Sequence, residues 1–149
     1  MREIIRSQLW LGNAMDARDP RRVHDVGARA IVDLALEEAL PQLTREMIYL
    51  RIPITDGSAN APAILTTAIE TTASLIRKSI PTLVVCSAGM SRAPSIVAAA
   101  LALVRGQAPD DVLIDLVAER PHDVSPVLWA AVKNAYEAAR ESPRRSDDL

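Results

Sequence analysis

The stretch VVCSAGMSRAPSI, Val84 to Ile96, contains the single cysteine of the 149-residue chain. Cys86 closes an apolar run from Thr82, which reads as a short buried strand. Five residues, Ser87-Ala88-Gly89-Met90-Ser91, separate it from Arg92. An Ala-rich run from Pro94 to Arg105 follows and reads as a helix stopped by Gly106. A strand end joined to a helix start is where α/β proteins receive ligands. Backbone wrapped tightly there can turn successive N–H groups toward one centre, a nest for an anion, and the helix adds the positive end of its dipole. Gly89 can take a positive φ at little steric cost, and Arg92 offers a planar fork to two oxygens of an anion. The same field acts on the thiol. A helix N-terminus and a guanidinium lower a cysteine pKa from about 8.5 to roughly 3.5–7.5. A lone cysteine is most often a small buried hydrophobe. The strand before Cys86, and the glycine, arginine and helix after it, favour a nucleophile instead.

Outward from this stretch, the chain alternates strands and helices. Ile4-Ile5 and Leu9-Trp10-Leu11 read as two short strands, with a turn at Gly12-Asn13. Asp19-Pro20 starts a short helix that ends near Gly27, with Asp19 as its N-cap. Ala30 to Leu34 and Met47 to Ile52 read as strands, and Thr55 to Asn60 as a polar loop. Helices are expected from Ala61-Pro62 to about Lys78, from Pro109 or Asp110 to about Glu119, and from Ser125-Pro126 to about Arg140. This order predicts a single α/β domain over residues 1–142. Its central sheet is mostly parallel, has about four to five strands and is flanked by helices. The charged tail, 143–149, reads as disordered.

Composition narrows the function classes. The chain is 49% hydrophobic and 24% charged, with no Phe, two Trp and two Tyr, so its core must be aliphatic. A formal net charge of −2 gives no electrostatic case for nucleic acid or an anionic membrane. One cysteine forms no internal disulfide, and no apolar run approaches about 18 residues, so a soluble cytoplasmic protein is the expectation. His24 and His122 have no matching ligand spacing, and no metal is expected. His24 reads as solvated, and His122 as a residue ordering the loop before the last helix. Asp33, in an apolar strand, reads as structural and bonded to a neighbouring loop, and Asp16 and Asp19 as turn and cap residues. Trp10 and Trp129 read as core or half-buried packing.

CSAGMSR, Cys86 to Arg92, resembles the signature loop of cysteine-dependent protein phosphatases, and its central Ala-Gly and its Ser before Arg resemble the dual-specificity branch. LWLGNAMDA (Leu9 to Ala17), GARAIVDLA (Gly27 to Ala35), YLRIPITD (Tyr49 to Asp56) and ERPHDVSP (Glu119 to Pro126) resemble that branch in order and spacing. The resemblance implies the cysteine-phosphatase fold. It also implies that Cys86 is a nucleophile taking a phosphoryl group, that Arg92 grips phosphate oxygens, and that Asp56 is the general acid and later the base. Ser87, Ala88, Gly89, Met90, Ser91 and Arg92 would form the phosphate loop. No cofactor is implied, and the partner would be a phosphoprotein or phosphopeptide.

Two positions depart from the family pattern. Val85 stands where the family usually has His, and Ala93 where it usually has Ser or Thr. The second change removes a hydroxyl that assists thiolate departure, so the expectation is an active enzyme with a slow second step. The alternatives are a phosphate-binding adaptor that does not turn over, a rhodanese-like sulfurtransferase, whose loop is usually shorter, and an arsenate reductase, which usually recruits further thiols. Among phosphatase substrates, the neutral loop side chains disfavour phosphoinositides. Phosphotyrosine, with phosphoserine and phosphothreonine, fits the shallow pocket expected of a chain without Phe.

Overall fold

The computed structural model describes residues 1–118 and 120–142. The disorder expected of 143–149, and Glu119 at the end of an expected helix, lie outside the described residues. The elements in chain order are β1 (Arg2–Ile5), β2 (Leu9–Asn13), α1 (Ala14–Ala17), α2 (Pro20–Asp25), β3 (Ala30–Ala35), β4 (Ile48–Ile54), α3 (Pro62–Arg77), β5 (Thr82–Cys86), α4 (Arg92–Arg105), α5 (Pro109–Val117) and α6 (Pro126–Glu141).

The five strands lie in the order β1-β2-β5-β3-β4. β2, β5, β3 and β4 run parallel, and β1 is antiparallel at the edge. β3 and β5 are buried at every position, as parallel strands covered on both faces must be, and both read as unbroken apolar runs apart from Asp33 and Thr82. β4 is the other edge, and it alone contains a proline, Pro53, which an edge tolerates. There the ladder slips: Asp33 pairs with Arg51, but Ala35 pairs with Ile54. This bulge carries β4 two residues beyond the expected end at Ile52.

Alternation along β5 separates two cores. Val84 and Cys86 join the larger cluster with α3, α4, α5 and α6, whereas Leu83 and Val85 join Trp10, Ala17, Val23 and Ile31 on the α1–α2 face. Val85 therefore serves as packing on the side opposite the thiol. α4 is buried along its first eleven residues because the sheet, α3, α5 and α6 surround it. Its alanines keep those approaches close, as a core without Phe requires.

The structure adjusts several boundaries. α4 starts at Arg92 rather than Pro94, and α5 stops at Val117. The turn expected at Gly12-Asn13 leads directly into α1, closed by a reciprocal capping box between Asn13 and Asp16. Asp16 is buried and also pairs with Arg22 at 2.9 Å. Asp33 is structural as expected, but its partners are strand residues rather than a loop. It accepts the Ala35 N–H at 3.0 Å and the Tyr49 hydroxyl at 2.6 Å. Trp10 is buried and Trp129 half-buried. Among the described residues, no helix is long and apolar enough to cross a membrane.

Candidate active site

β5 ends at Cys86 and α4 begins at Arg92, so the whole of Ser87–Ser91 is the connecting loop. The loop is fastened on both sides. Ala14 N–H donates to Ser87 O at 3.2 Å, and Asp123 N–H donates to Met90 O at 2.9 Å. Gly89 has φ +73°, and a Cβ there would lie 2.6 Å from Gly12 O on β2. Only glycine meets both conditions, since the colliding atom is backbone.

With the carbonyls so engaged, the amides are left over. Among the described residues, no backbone N–H from Ser87 to Arg92 donates to a protein acceptor. Six successive unpaired donors are rare in a folded chain, and a turn of such donors at a helix start is the geometry that accepts an anion. Cys86 lies at the base of this loop with 2% of its surface accessible, and its Sγ accepts the Ala93 N–H at 3.4 Å. The first turn of α4 thus directs a backbone donor at the sulfur. The Ala93 side chain is a fully buried methyl and adds no second donor.

Arg92 is 5% exposed and its guanidinium is heavily bonded. Nη1 donates to Ile54 O at 2.9 Å and to Glu37 Oε2 at 2.8 Å. Nη2 donates to Glu37 Oε1 at 2.5 Å and to Ser87 Oγ at 3.1 Å. The Ser87 hydroxyl in turn donates to Glu37 Oε1 at 2.5 Å. Arg92, working against the opposing effect of burial, holds the Glu37 carboxyl at about 2. The same pairing raises Arg92 further above its ordinary value.

Asp56 sits on the exposed loop after β4. Its Oδ1 accepts the Ser91 hydroxyl at 2.6 Å, and Ser91 Oγ accepts the Ser125 N–H at 3.2 Å. Asn60 folds this loop by accepting from Thr55 N–H at 2.8 Å and donating to Thr55 O at 2.8 Å. The residues singled out in the sequence, Cys86, Arg92, Asp56 and the loop Ser87–Ser91, thus meet at the carboxyl ends of β3, β4 and β5. Exposed His24 takes no part. His122 is also exposed, and the loop before α6 is tied down by the amides of Asp123 and Ser125 instead. A separate apolar cavity of about 360 Å³, lined by Val23, Ala28, Ile31, Leu43 and Met47 among others, lies on the α1–α2 face and contains neither Cys86, Arg92 and Asp56 nor the loop Ser87–Ser91.

Sequence reasoning missed Glu37. In LEEAL, Leu36 to Leu40, it looks like a solvated charge. Its signal was positional: it lies two residues beyond the end of β3, the strand paired with β5, and so at the same rim as the loop.

Comparison with known proteins gives the family and the fold. No curated protein matches the chain. A family model described as a polymorphic toxin system DSP-PTPase phosphatase matches residues 10–107. Human DUSP28 is similar in structure, with a TM-score of 0.79 at 24% identity over 93% of this chain and 96% of that one. DUSP15 gives a TM-score of 0.75 at 27% identity, covering 95% and 90%. A human tyrosine phosphatase-like serine/threonine/tyrosine-interacting protein gives 0.76 at 23% identity, covering 93% and 95%. The fold is that of the dual-specificity cysteine phosphatases, and by the family match over most of its length the chain belongs to the DSP-PTPase phosphatases of polymorphic toxin systems.

Proposed function

We propose that the protein hydrolyses phosphomonoesters through a cysteinyl-phosphate. Cys86 Sγ attacks phosphorus while Arg92 and the loop amides hold the non-bridging oxygens. The P–O ester bond breaks, and Asp56 gives its proton to the leaving oxygen. Asp56 then takes a proton from water, the water oxygen attacks phosphorus, the S–P bond breaks, and the thiolate is restored. The Ser91 hydroxyl occupies Oδ1 of Asp56, which leaves Oδ2 to carry the proton in both steps. The observation that carries the reading is the run of unpaired amides from Ser87 to Arg92 above a sulfur already engaged by the Ala93 N–H. The loop amides and Arg92 supply the positive charge that a metal would otherwise bring.

The substrate we assign is a phosphoprotein, with phosphotyrosine admitted first and phosphoserine and phosphothreonine after it. The side chains of Ser87, Ala88, Met90 and Ser91 are neutral and offer nothing to further phosphates of an inositol ring. The test is phosphate release from para-nitrophenyl phosphate and a phosphopeptide panel by wild type, Cys86→Ser and Asp56→Ala. Cys86→Ser should abolish turnover. Asp56→Ala should lower kcat/KM by about 10²–10⁴-fold on peptides, whose leaving groups need a proton, and much less on para-nitrophenyl phosphate. Equal losses on both would remove Asp56 from proton transfer.

Ala93 supports a second reading, a domain that binds phosphopeptide without releasing phosphate, because no hydroxyl assists departure of the sulfur. Phosphopeptide binding without turnover in the wild type would favour it.

A further inference from the structure

Arg92 has five N–H donors in a fixed fork, and the structure shows how four of them are used. Nη1 spans Ile54 O and Glu37 Oε2, and Nη2 spans Glu37 Oε1 and Ser87 Oγ. Nε has no protein acceptor among the described residues, and yet it is not among the buried polar atoms left without a partner. It therefore reaches accessible space. The carboxylate of Glu37 meets the end of the fork, and the side edge of the fork stays open.

From this geometry we propose that Glu37 is a positioning residue for Arg92, holding the guanidinium end-on so that its Nε edge faces the anion seat of the Cys86 loop. The proposal rests on the phosphatase reading for what occupies that seat.

Three acceptors on three elements fix the guanidinium plane: Ile54 O from β4, Glu37 from the segment after β3, and Ser87 Oγ from the loop itself. A free arginine would have to lose its side-chain mobility when the oxyanion arrives; a clamped one has lost it beforehand. The segment bearing Glu37 is itself tied down. Arg18 Nη2 pairs with Glu38 Oε2 at 2.7 Å, and Arg51 Nη2 donates to Ala35 O at 2.6 Å and also to Glu38 O. Of the four Arg92 bonds, that to Ser87 Oγ is the longest, at 3.1 Å. It is the one to give up when an oxygen enters, because the Ser87 hydroxyl still has Glu37 as its acceptor. Glu37 stays anionic over the working pH range, and its negative charge opposes an incoming dianion. Orientation and charge therefore predict opposite outcomes for its removal, and the proposal commits to orientation.

The test compares Glu37→Gln, Arg92→Lys and the double variant. Binding is read as tungstate affinity by calorimetry in a Cys86→Ser background, and turnover with Cys86 intact. Expected is a loss of about tenfold or more in kcat/KM for Glu37→Gln, carried mainly by kcat, and a several-fold loss of tungstate affinity. In the Arg92→Lys background, Glu37→Gln should change neither quantity further, because the glutamate acts through the fork. An increase in tungstate affinity or in kcat/KM on Glu37→Gln would overturn the proposal, since the carboxylate would then be competing for the oxyanion seat. Equal effects in both backgrounds would also overturn it. If no protein turns over but tungstate affinity still depends on Glu37 through Arg92, the phosphatase reading falls and the positioning role stands. If the wild type turns over and Glu37→Gln matches it in rate and affinity, the positioning role alone falls.

Discussion

Ala93 gives the sulfur a backbone donor and withholds a hydroxyl. Its N–H reaches Cys86 Sγ at 3.4 Å, and its methyl is wholly buried beside it. On the proposed mechanism, one backbone donor serves the sulfur during attack but offers little to a sulfur leaving phosphorus. The wild type should therefore show a pre-steady-state burst of leaving group, followed by slow release of phosphate. Ala93→Ser should raise steady-state kcat by about tenfold and shrink the burst, in keeping with the worth of a well-placed donor in a transition state. An unchanged kcat, or no burst in the wild type, would place the slow step before the phosphoenzyme. Cys86 and Arg92 were legible in the sequence because they bracket one short loop. Glu37 was not: it meets Arg92 across 55 positions of chain, and only the pairing of β3 with β5 brings the two together. Ser91 was legible as a loop residue, but its bond to Asp56, 35 positions away, was not.

At the scale of elements, the β5–loop–α4 unit depends on a close pass between two glycines. Gly89 lies in the left-handed region, and a Cβ there would meet Gly12 O at 2.6 Å. Gly106, which ends α4, has a similar φ of +68° but open space around its Cβ position. The two separate strain from collision. Gly106→Ala should cost about 1–2 kcal/mol of stability, the price of a left-handed alanine, and leave tungstate binding intact. Gly89→Ala should cost more and reduce tungstate binding at least tenfold, because the loop must move off β2. Calorimetric melting and titration check both, and equal behaviour of the two variants would deny that the contact shapes the loop. The strand and helix pattern was readable here because periodicity and punctuation agree: Pro62, Pro109 and Pro126 start helices and Gly106 stops one. Boundaries were less readable where side chains decide them. α1 is four residues long and exists through the Asn13–Asp16 box, and the end of β4 was displaced by its bulge at Pro53.

For the whole molecule, alternating strands and helices implied a parallel sheet, but the order β1-β2-β5-β3-β4 is a matter of long-range pairing that no local pattern encodes. That order places the ends of β3, β4 and β5 around one centre, and the charges gathered there make stability depend on pH. Glu37 is held at about 2 in the fold, below its ordinary value of 4.5. A depressed carboxyl stabilises the fold above the unfolded value and ceases to do so as pH falls through the folded one. The advantage of wild type over Glu37→Gln in urea midpoint should therefore be constant above pH 5 and decline from about pH 4.5 toward pH 2. An advantage that does not change with pH would mean that the ion pair with Arg92 does not form in solution. Transfer of the phosphoryl group to the Cys86 sulfur is checked by mass spectrometry. Wild-type protein is mixed with phosphorylated substrate, quenched in acid within the burst, digested and mapped. A phosphoryl group is expected on the peptide containing Cys86, absent from Cys86→Ser and accumulating further in Asp56→Ala with para-nitrophenyl phosphate. Phosphate release by the wild type with no label on that peptide, or with the label on another residue, would contradict it.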